Sequence, residues 1–243
     1  MKQLPLPFAP QQSYAAADLI ADASNAAALA WLAEPARWPL GRLALHGPAG
    51  VGKSHMLHAA AARFGWPLVP VPALRGLPPP PTTGLVLDDA DQAPDEAALF
   101  HLVNLCAEAG HPLLLAGRLP PSRWPVRLAD LASRLRATTA VPVEPPGDAL
   151  LAQLLEKHFA DRQLRTDPGF RAWLLPRLPR EAAAIAEAAA RLDRAGLAAG
   201  APVSRSLARA CLASLLDPLP LFDEQDDYMT GTAPLSPGRG PLL

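Results

Sequence analysis

Short apolar runs and longer amphipathic stretches take turns along the first two thirds of the chain. The runs RLALHG, GLVLDDAD and PLLLAG have the composition of buried strands, and a further strand is expected around TTAVPVEPP. Between these runs, KSHMLHAAAARFG, DEAALFHLVNLCAEAG and RLADLASRLRA carry apolar residues at helical spacing, and Gly65 and Gly110 are expected to end the first two helices. The proline-interrupted stretch PLVPVPA favours a short edge strand. This alternation predicts an α/β fold, in which helices flank a parallel sheet.

The pattern changes near VEPPGD, because every later stretch has helical periodicity. We therefore predict an α/β domain over residues 13–146 and a small helical subdomain over residues 147–216. Residues 217–243 are acidic and then rich in Gly, Pro and Ser, which is typical of a disordered tail. The prolines of QLPLPF predict an extended peptide over residues 1–12, whose apolar side chains need a partner to cover them.

Charge and composition narrow the class of protein. The 243 residues carry a formal net charge of -1, which gives no general electrostatic attraction to DNA. The two cysteines are far apart and form no CxxC pair, as expected in a reducing compartment. We see no signal-peptide core and no apolar run of about 18 residues, so we expect a cytoplasmic protein without a membrane segment.

The stretch GPAGVGKS matches the phosphate-loop pattern G-x-x-x-x-G-K-[ST] and stands between a predicted strand and a predicted helix. Its glycines allow backbone N–H groups to turn around phosphate oxygens at the positive end of the helix. Lys53 is expected to reach the β and γ phosphates, and the Ser54 hydroxyl to coordinate Mg²⁺. The predicted nucleotide contacts are Gly47, Pro48, Ala49, Gly50, Val51, Gly52, Lys53, Ser54 and His55.

Two acids end the apolar run LVLDDAD, about 35 residues after the phosphate loop. Mg²⁺ prefers carboxylate and water oxygens, so we expect Asp88 to hold the ion through water. Asp89 is expected to polarise the attacking water, although its side chain is shorter than that of the glutamate usual at this place.

Together these residues resemble the AAA+ ATPases of the bacterial DnaA family. The similar segments include SNAAALAWL, LHGPAGVGKSHMLHAAA, LVLDDAD, LFHLVNLCAEAG and DLASRL, followed by a helical lid. Within the family, the Hda-type regulators are the most similar, because QLPLPF resembles their clamp-binding motif and LADLASRL their arginine-finger helix. For such a regulator we expect no DNA-binding domain after the lid.

The resemblance implies a negative regulator of replication initiation that holds ATP or ADP with Mg²⁺. Tethered to the β sliding clamp, it would stimulate ATP hydrolysis by DnaA and would touch DNA only through the clamp. Arg134 would be the arginine finger, supplied in trans to offset the charge on the γ-phosphate. The implied clamp contacts are Gln3, Leu4, Leu6, Pro7 and Phe8. A homodimer stays possible.

The family's adenine pocket begins at residues that correspond here to Asp18, Leu19, Ile20 and Asn25. A capped helix explains one of them equally well, because either Ser24 or Asn25 is a suitable N-cap. The assignment to adenine therefore rests on the resemblance.

This sequence departs from the family at two sensor positions. Ala116 and Gly117 have no side-chain hydrogen bond to offer where the family senses the γ-phosphate. The sensor arginine of the lid corresponds to Ala183, and Arg180 could replace it only if the helix were shifted. We therefore predict nucleotide binding with weak hydrolysis by the chain itself.

Two other functions fit the same residues. The chain would be an autonomous ATPase, such as a helicase loader, if it hydrolysed ATP rapidly by itself. It would be a non-catalytic clamp adaptor if it worked without a bound nucleotide.

Overall fold

The computed structural model describes residues 19–216; the predicted clamp peptide, Asp18 and the predicted tail lie outside these residues. Five parallel strands form one sheet in the order β2-β3-β4-β1-β5. The strands are β1 (Arg42–His46), β2 (Leu68–Val69), β3 (Leu85–Leu87), β4 (Leu113–Gly117) and β5 (Thr139–Pro142). The predicted parallel α/β sheet is confirmed, and β2 is the short edge strand that its prolines indicated.

The helices follow the predicted order. Before residue 147 they are α1 (Ala26–Ala33), α2 (Lys53–Phe64), α3 (Glu96–Ala109) and α4 (Ala129–Arg136). After it come α5 (Asp148–Asp161), α6 (Pro168–Leu174), α7 (Ala182–Ala199) and α8 (Arg205–Cys211). Both Gly65 and Gly110 end their helices in the left-handed conformation, as these two glycines predicted.

The sheet is buried on both faces, which explains why its strands read as continuous apolar runs. Successive residues of β4 point to opposite sides: Leu113 packs with α3 and α4, and Leu114 packs with α1 and α2. The sheet therefore forms a rigid middle layer, and the loops at its two edges carry the candidate chemistry.

Helices α5 to α8 surround a third apolar cluster of their own, which includes Phe159, Trp173 and Ile185. This cluster accounts for the change to purely helical periodicity near residue 147. Within residues 19–216, no helix has the length and apolar character needed to cross a lipid bilayer.

Candidate nucleotide-binding site

Three loops leave the carboxyl edge of the sheet side by side. Strand β4 lies between β1 and β3, and its Gly117 is paired with His46 at the end of β1. Because all strands are parallel, the loops that follow β1, β3 and β4 leave from this same edge. They carry the phosphate loop, the acidic stretch at residues 88–91, and Arg118.

The backbone of the phosphate loop requires glycine. Gly50 and Gly52 have φ angles of 76° and 96°, in the left-handed region that other residues rarely adopt. A Cβ on Gly47 would overlap the carbonyl of Val143 at the end of β5. Gly52 is the N-cap of α2, and no side chain caps this helix. The first N–H groups of α2 therefore lack a side-chain acceptor, which suits a phosphate group.

Lys53 is the first residue of α2, and only 7% of it is exposed. Its ammonium donates to the carbonyl of Gly47 at 2.8 Å and to that of Pro48 at 2.7 Å. An ammonium has three N–H groups, so one remains for a phosphate oxygen. Burial lowers the pKa of Lys53, and the nearby aspartates at residues 88–91 oppose that shift.

Asp88 and Asp89 follow β3, as predicted. The Asp88 carboxylate accepts a hydrogen bond of 3.0 Å from the backbone N–H of Asp89. Asp89 has a φ of 49° and begins a short 3₁₀ turn. Burial, and then the charges of Asp88 and Asp91, raise the pKa of Asp89; Lys53 and Arg118 oppose this effect. Asp89 is therefore a more basic carboxylate than an ordinary aspartate.

Asp91 is a site residue that the sequence reasoning missed. Its Oδ2 accepts a hydrogen bond of 2.8 Å from the backbone N–H of Arg118. Its Oδ1 is buried and has no hydrogen-bond partner among the described residues. A Cβ on Gly117 would lie 3.1 Å from Asp91 Cγ and 3.0 Å from the Trp124 ring. The absence of a side chain at Gly117 thus makes room for a carboxylate from the neighbouring loop.

We expect the Asp89→Asn substitution to change the stability of the protein more favourably at pH 7 than at pH 3. The folded state raises the pKa of Asp89, so the wild type loses stability as pH rises through that raised value. Asparagine does not titrate, so the variant escapes this loss. Because Asp89 is exposed, the effect is small. Thermal denaturation of both proteins across this pH range checks the sign; an equal gain at both pH values would contradict it.

The amino end of α7 lies against the phosphate loop. The backbone N–H of Ala182 donates to the carbonyl of Gly50 at 3.3 Å. A Cβ on Gly50 would lie 2.9 Å from Cγ and from Oε2 of Glu181. The helical region therefore contacts the phosphate loop directly, and the carboxylate of Glu181 lies beside the loop.

Arg180 is paired with the first residue of α5 in this structure. It forms an ion pair of 2.7 Å with Asp148, and both side chains are more than half exposed. Ala183 is exposed in the first turn of α7. A role for Arg180 as the replacement lid sensor would require this exposed ion pair to open, which is energetically easy.

The three described residues of the predicted adenine pocket lie next to α1. Asn25 precedes this helix, yet its side chain does not cap it. Its amide donates to the carbonyl of Ile20 at 2.9 Å and accepts from the N–H of Asp22 at 2.9 Å. Leu19 packs against the apolar cluster of α1 and α2. Asn25 thus fixes the turn before α1, and its contact with adenine stays a prediction.

Arg134 lies at the opposite edge of the sheet from the phosphate loop. It lines a cavity together with Arg42, the first residue of β1. Its guanidinium stands over the Phe100 ring at 5.3 Å from the ring centroid. The structure therefore separates the predicted finger from the other candidate site residues.

The residues at the carboxyl edge fit a magnesium nucleotide. The uncapped helix α2 and the spare N–H of Lys53 suit phosphate oxygens. Mg²⁺ usually takes one or two protein oxygens and the rest from phosphates and water, and Ser54 and Asp88 would supply the protein oxygens. Within residues 19–216, no group of three or more His, Cys, Asp or Glu side chains is arranged to hold a metal.

Comparison with known proteins identifies the fold. No protein-family model matches the sequence. The structure is similar to domain III of the replication initiation protein DnaA from Thermotoga maritima, with a TM-score of 0.71 and 16% identity over 86% of this chain and 99% of that one. AMPPCP-bound DnaA from Aquifex aeolicus gives a TM-score of 0.60 and 18% identity over 77% of this chain and 67% of that one. The Thermotoga maritima RuvB branch migration motor gives 0.57 and 15% over 77% and 66%. The described part of the chain therefore has the AAA+ P-loop NTPase fold found in DnaA and RuvB.

Proposed function

We propose that this protein is a nucleotide-bound, Hda-type regulator of replication initiation. It binds the β sliding clamp through its amino-terminal peptide and uses Arg134 to stimulate ATP hydrolysis by DnaA. The resident nucleotide is ATP or ADP, held with Mg²⁺ at the carboxyl edge of the sheet.

The observation that carries this proposal is the separation of Arg134 from the chain's own phosphate loop. Arg134 lies beside Arg42 at the start of β1, whereas the phosphate loop follows His46 at the end of that strand. Strand β1 spans about 13 Å at ~3.3 Å per residue. An arginine at one edge does not reach a nucleotide at the other, but it is available to the nucleotide of an adjacent subunit.

Two features support weak hydrolysis by the chain itself. The sensor position on β4 is Gly117, where the carboxylate of Asp91 takes the space of a hydrogen-bonding side chain. Arg180 is paired with Asp148. A carboxylate at this position donates no hydrogen bond to the charge that develops on the γ-phosphate during transfer, so hydrolysis by the chain itself is expected to be slow.

The chemistry of the proposed reaction is charge stabilisation. In phosphoryl transfer, negative charge spreads over the γ-phosphate oxygens as water attacks and the leaving oxygen departs. The guanidinium of Arg134 would bind those oxygens on DnaA, where its planar fork matches their geometry. Its guanidinium already lies over the Phe100 ring, and this cation–π contact limits the conformations of the side chain before it binds.

The proposed clamp contacts are Gln3, Leu4, Leu6, Pro7 and Phe8. A proline-spaced peptide is extended before it binds, so it loses little conformational entropy on docking. Leu6 and Phe8 would fill an apolar groove, and Gln3 would hydrogen-bond beside them. Tethering raises the local concentration of the finger near DnaA that works on the same DNA.

We expect the full chain to stimulate ATP hydrolysis by DnaA only when the β clamp is loaded on DNA. The double variant Gln3→Ala with Leu6→Ala should lose both retention by the clamp and stimulation, because it lacks the polar and apolar contacts of the peptide. Phosphate release by DnaA and clamp pull-down measure the two effects. The folded core should be unaffected, so the melting temperature serves as the control.

Each failure has a different meaning. Full stimulation by the double variant would contradict tethering. Rapid ATP turnover by the isolated chain, without effect on DnaA, would identify an autonomous ATPase instead.

A further inference from the structure

The strongest unexplained feature outside the nucleotide site is a basic cavity at the amino edge of the sheet. It has a volume of about 570 Å³ and lies between the start of β1 and the last turns of α3 and α4. Its polar lining comes from Arg42, His111, Ser133 and Arg134. Among the described residues, none of those that line it is acidic.

Arg42 is buried in this cavity without a counter-ion. Only 5% of the residue is exposed, and its Nε is buried with no hydrogen-bond partner among the described residues. No ion pair within residues 19–216 joins Arg42 to a carboxylate. Buried guanidinium groups are normally paired, because an unpaired buried charge loses its hydration without compensation. Arg42 lines the cavity, so its unpaired guanidinium points to a ligand that the protein itself does not supply.

A second guanidinium adds positive charge to the same cavity. Arg134 lines the cavity from α4, and its positive charge, after burial, lowers the pKa of Arg42. The repulsion between two cations in one cavity is offset when an anion lies between them. The final turns of α3 and α4 also face the cavity, and their partial negative charge helps to stabilise the two cations. These helix ends do not provide the missing hydrogen bond to Arg42.

The rim of the cavity favours a ligand carried by a macromolecule. Leu40 lines the cavity, is 64% exposed and has a φ of 54°. A leucine with a positive φ is uncommon, and its exposed side chain at the rim offers an apolar contact to a protein that brings a phosphate into the cavity. A free anion in water would not need such a contact.

We propose that Arg42 and Arg134 together form an oxyanion site that receives the terminal phosphate of a nucleotide bound to a partner AAA+ subunit. Arg42 then adds a second cation to Arg134 at the cavity that faces the partner's nucleotide. Its backbone is held rigid because it belongs to strand β1. The identity of the partner rests on the proposed function, but the oxyanion site does not. A free phosphate ion shares the same chemistry and is distinguished by the test.

The test uses the full chain with ¹⁵N-labelled arginine. The Nε–Hε signal of Arg42 is assigned as the one that is missing from the spectrum of Arg42→Met. We expect this signal to move saturably with sodium phosphate and not with sodium chloride at the same ionic strength. Because the signal is specific to one residue, phosphate bound in the phosphate loop does not confuse it. Arg136→Met, an exposed change on α4, is the matched control and should leave the response intact.

The second measurement is stimulation of DnaA hydrolysis. Arg42→Met should reduce it about tenfold or more, the usual loss for a charge-assisted hydrogen bond. If the signal moves while stimulation by Arg42→Met is unchanged, the site binds a free anion, and the proposal that the phosphate belongs to a partner's nucleotide is wrong. If the signal does not move with phosphate, the oxyanion site is wrong whatever DnaA does. If the wild type never stimulates DnaA, the proposed function fails while the phosphate titration still decides the site.

Stability separates a ligand site from a structural role. Methionine fills similar space without the buried charge, so Arg42→Met should melt at the same or a higher temperature when phosphate is absent. A lower melting temperature combined with an unmoved signal would assign Arg42 to structure alone. Arg42→Lys keeps the charge but loses the fork, and it should give an intermediate phosphate response.

Discussion

Replacing Arg134 with alanine should reduce the stimulated ATP hydrolysis of DnaA by about 10³-fold or more, with clamp binding unchanged. The size of the effect follows from where an arginine finger acts, because it stabilises charge that exists only in the transition state. Measurement of phosphate release at saturating concentrations of the regulator separates this loss from weaker binding to DnaA.

The variant should still fold. Arg134 is half-buried, and its side chain makes a cation–π contact with Phe100, worth about 0.5–1 kcal/mol at such a site. Its backbone carbonyl accepts a hydrogen bond of 3.0 Å from the Thr138 hydroxyl, and alanine preserves that bond. Circular dichroism and the melting temperature should therefore stay close to those of the wild type.

Arg136→Ala is the matched control. Arg136 lies on the same helix, two residues further on, and it is exposed. It carries the same charge but does not line the basic cavity. If both variants lose stimulation equally, the effect is general electrostatic attraction and the assignment of Arg134 as finger is wrong. If neither loses it, another residue acts.

Much of the fold could be predicted because its signals are local. The apolar runs fixed the strands, and glycines marked the ends of α2 and α3. The phosphate loop was recognisable because its glycines, lysine and serine are consecutive in sequence. By contrast, Asn25 looked like a helix cap, but its side chain closes the preceding turn instead.

The missed residues depend on contacts between distant segments. Asp91 enters the candidate site because β3 and β4 are neighbours and because Gly117 leaves it space. Its only sequence signal was a third acid in LVLDDAD. Arg42 looked like the polar first residue of a strand, but it is buried at a place where the ends of α3 and α4 come together with the start of β1. Sequence periodicity does not report which residues face one cavity.

The second large effect is expected at Lys53. Lys53→Met should weaken binding of Mg·ADP or Mg·ATP by about 10- to 100-fold, the range for loss of a charge-assisted hydrogen bond. Isothermal titration calorimetry measures this directly. The apo protein should lose little stability, because burial lowers the pKa of Lys53 and folding therefore disfavours the charged form that methionine removes. The variant does give up two hydrogen bonds, to the carbonyls of Gly47 and Pro48, which limits any gain.

Lys157→Met is the control for Lys53→Met. Lys157 forms an ion pair of 2.8 Å with Asp161 on α5, outside the phosphate loop, and its loss should leave nucleotide affinity unchanged. Equal affinity in the Lys53 and Lys157 variants would contradict the assignment of the phosphate loop.

The same pair of variants also separates two functions. If Lys53→Met loses nucleotide yet still stimulates DnaA, the fold acts as a scaffold; if stimulation falls with occupancy, the nucleotide holds the finger-bearing subunit in its active arrangement.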